Sequence, residues 1–182
     1  MPHLLLKDLP RYECLLEAAK EFPDLNPSAC EAFLHLLRTG DESARVIEAN
    51  LARHNITQGR FGVLMILMNR CAGDASTLGP AELADAAGVS RATMTGLIDT
   101  LERDGLVTRE PDKVDRRMML VSLTAKGRAQ LEEILPNHFK HMTQLMSSLS
   151  EFERQTLVQL LIKIQQQATR VSPPVPATAA AV

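Results

Sequence analysis

Apolar positions between residues 79 and 105 fall into two short helical runs separated by a glycine turn. Pro80 suits the first turn of a helix, where its missing N–H costs nothing, and Gly88 supplies the left-handed residue that ends that helix. Ser90 can cap a second helix, which Gly105 closes about four turns later. Two helices joined this closely must cross steeply, so the pattern predicts a helix-turn-helix.

The second helix has one apolar face and one small, polar face. Its apolar residues recur every three or four positions and predict a buried stripe: Met94, Leu97, Ile98 and Leu101. The opposite face could enter a major groove, although the stripe alone would also fit an ordinary surface helix. The residues of this segment that we expect at DNA are Ser90, Arg91, Ala92, Thr93, Thr95, Gly96 and Arg103. Of these, Ser90 serves first as a cap.

After Gly105 the pattern changes from helical to extended. Residues 106–110 and 118–123 are rich in β-forming side chains and flank a polar loop with proline and aspartate, which predicts a hairpin. Such a β-wing can follow the phosphate backbone and place an arginine in a narrow minor groove. We expect Arg116 in that role, with Lys113 and Arg117 beside it. Residues 76–78 could add a third short strand.

The flanking segments have helical patterns. A run from Pro27 to Leu51 predicts one long helix, or two helices with a break at residues 39–41. Downstream, Thr124 can cap a helix whose apolar stripe continues past Pro136, so the proline should kink that helix rather than end it. Ser150 begins a capping box with a glutamate three residues later and predicts a last helix.

These helices at the chain ends carry wider apolar stripes than one small winged helix could cover, so we expect a second copy of the chain. The predicted fold is mainly α with a small antiparallel β-wing: a winged helix-turn-helix plus a helical dimerisation layer built from both chain ends. The predicted divisions are an N-terminal helical extension and dimerisation segment (1–56), the DNA-binding domain (57–124), C-terminal dimerisation helices (125–170) and a disordered tail (171–182).

The segment from Leu83 to Gly127 closely resembles the multiple-antibiotic-resistance regulator (MarR) family of bacterial winged-helix transcription factors. The resemblance rests on four motifs in order: Ser90-Arg91-Ala92-Thr93-Met94-Thr95, Leu101-Glu102-Arg103-Asp104-Gly105-Leu106-Val107, Asp115-Arg116-Arg117 and Leu123-Thr124-Ala125-Lys126-Gly127. It implies a homodimer on a pseudo-palindromic operator, acting as a repressor rather than an activator. Asp115 and Arg117 resemble the pair that holds the base of the family's wing. Gly96 departs from the pattern, because relatives frequently carry a larger, often basic residue there.

The resemblance also implies a small aromatic or anionic effector bound between the helical layer and the winged helix. Our candidates for that site are polar side chains among apolar neighbours and flexible methionines: Arg38, His54, Arg60, Met65 and Met68. For each one, an ion pair at the surface or plain core packing is the stronger alternative.

Composition agrees with a regulator of ordinary size. The 182 residues carry a net charge of −2. Between residues 88 and 128, however, eight basic residues face six acidic ones (+2), which leaves 12 against 16 (−4) elsewhere. Local rather than total charge governs contact with phosphates. No apolar run reaches the roughly 18 residues of a membrane span, and no secretory signal is evident, so we expect a soluble protein of the bacterial cytoplasm.

Enzymatic chemistry is not indicated. The five histidines show no metal-binding spacing, no phosphate-binding glycine loop or nucleophile motif occurs, and we expect no cofactor and no metal. Cys14, Cys30 and Cys71 are separated thiols, and a redox-sensing regulator remains one alternative function. The other alternative is a winged-helix module for protein interaction or oligomerisation with weak DNA binding, which Gly96 and the negative net charge favour.

Overall fold

The computed structural model describes residues 8–70, 77–112 and 115–171. The chain divides into two compact units, Met1–His141 and Met142–Val182. Within the described residues the elements are α1 Tyr12–Glu21, α2 Pro27–Ala52, α3 Gln58–Arg70, α4 Pro80–Ala87, α5 Arg91–Arg103, β1 Val107–Pro111, β2 Met119–Leu123, α6 Ala125–Leu145 and α7 Glu151–Val171. The prediction of a mainly helical chain with a small antiparallel wing is therefore confirmed.

The core of the first unit gathers one face from each of several elements. Its fully buried apolar side chains come from α2 to α6 and from both strands. They include Leu51, Leu64, Leu67, Leu83, Met94, Ile98, Leu101, Val107, Val121, Leu131 and Ile134. Burial of each such side chain contributes about 1.5–3 kcal/mol relative to exposure, so this shared core fixes α4, α5 and the wing against one another.

Helix α2 is continuous from Pro27 to Ala52, which decides between the two predicted alternatives. The side chain of Asn26 accepts a hydrogen bond from the backbone N–H of Ala29 at 3.1 Å and caps its start. Gly40 lies inside the helix and does not interrupt it, because a glycine costs only about 1 kcal/mol against alanine in a helix. Neighbouring Asp41 is buried.

The start of α6 also follows the sequence-based prediction. The hydroxyl of Thr124 accepts from the backbone N–H of Gly127 at 3.0 Å, and the helix continues through Pro136 to Leu145. Gly127 is buried against the end of the DNA-binding segment. A Cβ at this position would lie 2.1 Å from the carbonyl oxygen of Leu106, so only glycine fits.

The second unit begins α7 with the predicted capping box. The backbone N–H of Ser150 donates to Glu153 Oε2 at 2.7 Å, and the N–H of Glu153 donates to the Ser150 hydroxyl at 3.3 Å. The Glu153 carboxylate also accepts from the Ser150 hydroxyl at 2.7 Å. The bond from the Ser150 backbone N–H, and secondly that from its hydroxyl, lower the pKa of Glu153. In the single chain none of the residues of α7 is buried, and Phe152 is 77% exposed.

Replacing Gly127 by alanine should destabilise the protein by about 1–3 kcal/mol, because the new methyl group overlaps a backbone oxygen that cannot move freely. Equilibrium unfolding in urea measures this free energy. Gly40→Ala is the matched control, since it also replaces a glycine within a helix but meets no atom within 4 Å. The control should stabilise the protein by about 0.5–1 kcal/mol. Equal midpoints for the two variants would contradict the steric explanation.

Candidate nucleic-acid interface

Helices α4 and α5 are joined by a tight turn whose geometry follows from Gly88 and Ser90. Gly88 has φ 65° and ψ 33°, the left-handed conformation that ends α4. Ser90 is extended, and its hydroxyl accepts from the backbone N–H of Thr93 at 3.1 Å. The turn thus ends one helix and starts the next within three residues, as the sequence predicted.

Packing of α5 against the core leaves one of its faces outward. Met94, Ile98 and Leu101 are fully buried, and Leu97 is half-buried against the same core. The opposite face is exposed, and its N-terminal part consists of Arg91, Ala92, Thr93, Thr95 and Gly96. No atom lies within 4 Å of a Cβ placed on Gly96. The outward face is therefore shallow at its centre and bordered by polar side chains.

Local hydrogen bonds fix the polar side chains of this face. The Thr95 hydroxyl donates to the carbonyl of Arg91 at 2.9 Å, and the hydroxyls of Ser90 and Thr93 lie 2.8 Å apart. Arg91 is exposed and has no ion-pair partner in the described parts of the chain. Arg103, farther along, is 76% exposed, with Nε 3.9 Å from Asp104 Oδ1. Both guanidinium groups can therefore reach a partner outside the chain.

The wing is an antiparallel pair of strands. Its register runs from Val107 opposite Leu123 to Pro111 opposite Met119. The predicted third strand is reduced to an isolated bridge from Leu78, whose N–H donates to the carbonyl of Val121 at 3.1 Å. Ser76, its predicted first residue, lies outside the described residues.

The tip of the wing is organised by aspartates. The carboxylate of Asp115 accepts from the backbone N–H of Arg117 at 3.0 Å, and Asp112 accepts from the N–H of Asp115 at 3.0 Å. Asp115 therefore holds Arg117 through the backbone, not through the guanidinium. Arg116 and Arg117 are exposed, and where the structure describes the chain neither has an ion-pair partner. Lys113, the third predicted wing cation, lies outside the described residues.

Arg109 was not among the predicted site residues, and it joins the wing to α5. From strand β1 its guanidinium forms ion pairs with Asp99, through the Nη2 atom, and with Glu102, through Nη1 at 3.3 Å. The sequence signal that could have indicated this pairing is the two acids three positions apart on one helix face, Asp99 and Glu102. That signal could not identify the partner, because the hairpin alone decides which strand residue lies over the helix.

One ion pair and one hydrogen bond hold the end of α5. Arg60, largely buried at the start of α3, pairs with the carboxylate of Asp104, and Lys126 Nζ donates to the carbonyl of Asp104 at 2.7 Å. Beside them lies a cleft of about 500 Å³. His54, whose Nδ1 lies 3.4 Å from Glu133 Oε1, also lines it. The complete lining is His54, Asn55, Arg60, Asp104, Leu106, Lys126, Ala129, Gln130 and Glu133.

The cleft brings together only two of the five predicted ligand residues, His54 and Arg60. Arg38 lies on α2 with Nη1 3.7 Å from Glu42 Oε1, and it does not line this cleft. Met65 and Met68 are half-buried on α3 and pack against the core. The sequence left two alternatives open for these residues, a surface ion pair and core packing. Arg38 and Arg60 each form an ion pair, and the two methionines pack against the core.

Among the described residues, no group of three or more His, Cys, Asp or Glu side chains could hold a metal ion. Cys14 is exposed and Cys30 is half-buried, while Cys71 lies outside the described residues. The ring of His138 lies 4.8 Å from that of Phe61. Burial, and secondarily the charge of the nearby His141, lowers the pKa of His138.

The two helices joined by a tight turn, the exposed face of α5 and the basic wing define a winged helix-turn-helix protein of the DNA-binding class. Comparison with known proteins agrees. The MarR family model matches residues 56–119. The transcriptional repressor YetL of Bacillus subtilis (strain 168) is 36% identical over 156 residues, which are 86% of this chain and 92% of YetL. The chain belongs to the MarR family of transcription regulators.

Two solved structures extend this similarity to the fold. One, on the regulation of DNA binding of Bordetella bronchiseptica BpsR by 6-hydroxynicotinic acid, has a TM-score of 0.63 at 28% identity and covers 72% of this chain and 91% of that one. The other is a mutant of Escherichia coli MarR complexed with operator DNA, with a TM-score of 0.62 at 27% identity, covering 80% and 96%. The family and these relatives are regulators and not enzymes, as the sequence predicted. Within the described ranges, every helix is too short or too polar to span a lipid bilayer.

Replacing Gly96 by alanine should raise the free energy of unfolding by about 0.5–1 kcal/mol, because the methyl group meets open space and glycine is costly within a helix. Urea unfolding measures this gain, and a less stable variant would contradict the open surface. The operator affinity of the same variant then distinguishes two possible roles of Gly96. A loss of affinity would show that the helix backbone approaches DNA closely at this position. An unchanged affinity would show that no DNA contact is made there.

Proposed function

We propose that the protein is a repressor that binds a pseudo-palindromic operator as a homodimer in the bacterial cytoplasm, and that a small aromatic or anionic effector modulates this binding. YetL, its relative at 36% identity, is named as a repressor. The similar BpsR structure concerns regulation of DNA binding by a small aromatic acid, and the similar MarR structure contains operator DNA. The observation that carries the proposal is the exposed polar face of α5 with Arg91, together with the exposed wing residues Arg116 and Arg117. None of these three arginines has an ion-pair partner among the described residues.

The apolar surface of the single chain supports a dimer. Helix α7 has no buried residue, and Phe152, Leu160 and Ile164 are about half exposed or more. Monomeric proteins rarely leave such a surface in contact with water. A two-fold arrangement would cover apolar helices with their own counterparts and would place two copies of α5 about one turn of B-DNA apart.

On DNA, the N-terminal half of α5 would enter the major groove. Arg91 is the residue that we assign to a guanine or a phosphate, and each good bidentate base contact is worth about 1–3 kcal/mol of discrimination. The Thr95 hydroxyl hydrogen is already donated to the Arg91 carbonyl. Thr95 can therefore accept from a base amino group but is not free to donate. Ala92 and Gly96 leave the helix shallow enough to come close.

The remaining cations would bind the backbone and the minor groove. Arg116 is exposed beyond the aspartate-stabilised turn of the wing, which fits a side chain that enters a narrow minor groove. Arg103, Lys113 and Arg117 are assigned to phosphates. Ser90 is first a helix cap, and its position at the start of α5 would also allow a phosphate contact.

The effector would bind in the cleft beside Arg60. A carboxylate could compete with Asp104 for the guanidinium of Arg60, while His54 lies on the same wall. Asp104 is the C-terminal cap of α5. A ligand that weakens this ion pair would therefore loosen the end of the helix that contacts DNA, and a few kcal/mol of differential affinity between conformers suffices to shift their populations.

Arg91→Ala and Arg116→Ala should each weaken binding to the operator in the protein's own promoter region, since each removes an unpaired cation from the proposed interface. If the lost contact is to phosphate, the slope of log affinity against log salt concentration should fall by about 0.9 per contact. Fluorescence anisotropy at several salt concentrations measures both quantities.

Lys20→Ala is the control for these variants, because it removes an exposed cation on α1, outside the proposed interface. It should leave the affinity and the salt slope unchanged. Arg116→Ala binding as tightly as the parent would remove the wing assignment. A parent protein that binds the promoter no better than random DNA would instead favour an interaction module.

Benzoate and 4-hydroxybenzoate test the effector site. Either compound should raise the thermal midpoint of the parent and lower its operator affinity, while His54→Ala should reduce both effects. The same variant without ligand should bind DNA like the parent, since His54 lies outside the DNA-contacting face. Equal responses of variant and parent to both compounds would contradict the assignment of the cleft.

A further inference from the structure

Two carboxylates lie on the helix that would enter the major groove. Asp99 is 56% exposed, on the same face of α5 as Thr95 and Gly96, and Glu102 lies almost one turn farther along at 39%. With a rise of 1.5 Å per residue, Asp99 is about 12 Å along the helix from Arg91. Phosphates flank a major-groove helix over such distances, and charges closer than about 8–10 Å are only partly screened at physiological salt. Bare carboxylates here would oppose DNA binding.

The guanidinium group of Arg109 is positioned to neutralise both carboxylates. Nη2 is paired with Asp99 and Nη1 lies 3.3 Å from Glu102 Oε2, so each carboxylate has its own nitrogen. Only arginine offers two such donors in a rigid plane. Its side chain is 25% exposed, and its strand neighbour across the wing is Val121. The guanidinium is thus engaged within the protein and is not free for phosphate.

We propose that Arg109 is a positioning residue for DNA binding that neutralises Asp99 and Glu102 and so permits α5 to approach the phosphates. This inference rests on the proposed DNA-binding face of α5. Arg109 acts through the two acids and makes no DNA contact of its own. It also ties strand β1 to α5, so the wing and the helix that approach DNA share one electrostatic link.

The test compares operator affinities of neutralised variants. Arg109→Gln should weaken binding about tenfold, because it leaves two carboxylates facing the DNA. The triple variant Asp99→Asn/Glu102→Gln/Arg109→Gln should recover to within about threefold of the parent, because the repulsion is gone. If Arg109 instead contacted phosphate, the triple variant would bind as weakly as Arg109→Gln. That result would overturn the proposal.

A second variant gives an answer even if Arg109→Gln does not fold. Asp99→Asn/Glu102→Gln keeps Arg109 and removes only its partners. It should bind operator at least as tightly as the parent, because it loses two negative charges and frees a positive one. A loss of about tenfold or more would mean that the carboxylates themselves read bases, and would overturn the proposal.

Controls separate this inference from the proposed function. Lys20→Gln removes a cation from an exposed carboxylate, Glu17, outside the interface and should not change the affinity. Arg91→Ala should weaken binding whatever Arg109 does. If Arg91→Ala weakens binding but the triple variant fails to recover, only the role of Arg109 is wrong. If Arg91→Ala binds like the parent, the proposed DNA-binding face fails, and the inference fails with it.

Discussion

Burial of Met94, Ile98 and Leu101 is the constraint on which the DNA-binding segment depends. These side chains recur at helical spacing and are fully removed from water, so they fix the rotation of α5 about its own axis. A different rotation would expose them at a cost of about 1.5–3 kcal/mol each. Because the rotation is fixed, the opposite face with Arg91 and Thr95 must point outward. The surface that we propose to read DNA is thus decided by residues on the opposite, buried side of the helix.

Ion pairs complete what apolar packing begins. Arg109 holds two acids in the second half of α5, and Arg60 holds Asp104 at its end. Both arginines are more buried than the carboxylates they hold, and both come from neighbouring elements. They therefore compensate the negative charges of the helix from fixed positions. Arg91, Arg116 and Arg117, by contrast, are exposed and have no ion-pair partner in the described parts of the chain, so their charge is available for the proposed DNA contacts.

Sensing and binding meet at the C-terminal end of α5 in the mechanism that we propose. The cleft reaches Asp104 and Arg60 directly, so an occupant would act on the cap of the helix rather than on its DNA-contacting face. The exposed apolar face of α7 has a different role in the proposed mechanism, which is dimerisation. A second copy would use it to set the spacing of two reading helices, and that spacing determines which operator can be bound.

The sequence alone determined the local architecture and the family. Gly88, Ser90, the capping box at Ser150 and the apolar stripe of α5 act over a few residues, so their consequences can be derived without knowing the rest of the fold. The outward face of α5 follows from the same periodicity, and the position of the wing arginines follows from the hairpin pattern around the polar loop. Even the continuity of the helix through Pro136 was predicted from the stripe beyond it.

Only the tertiary structure decided which distant side chains meet. The pairing of Arg109 with Asp99 spans the turn into the wing, and that of Arg60 with Asp104 spans 44 positions. The tertiary structure also decided that α2 is one helix. Whether the helix would break at Gly40 depended on the balance between helix propensity and packing. Of the predicted ligand residues, it brought only His54 and Arg60 to one cleft. A charged residue is recognisable in the sequence, but its partner depends on how separate elements pack. No local sequence pattern predicts that packing.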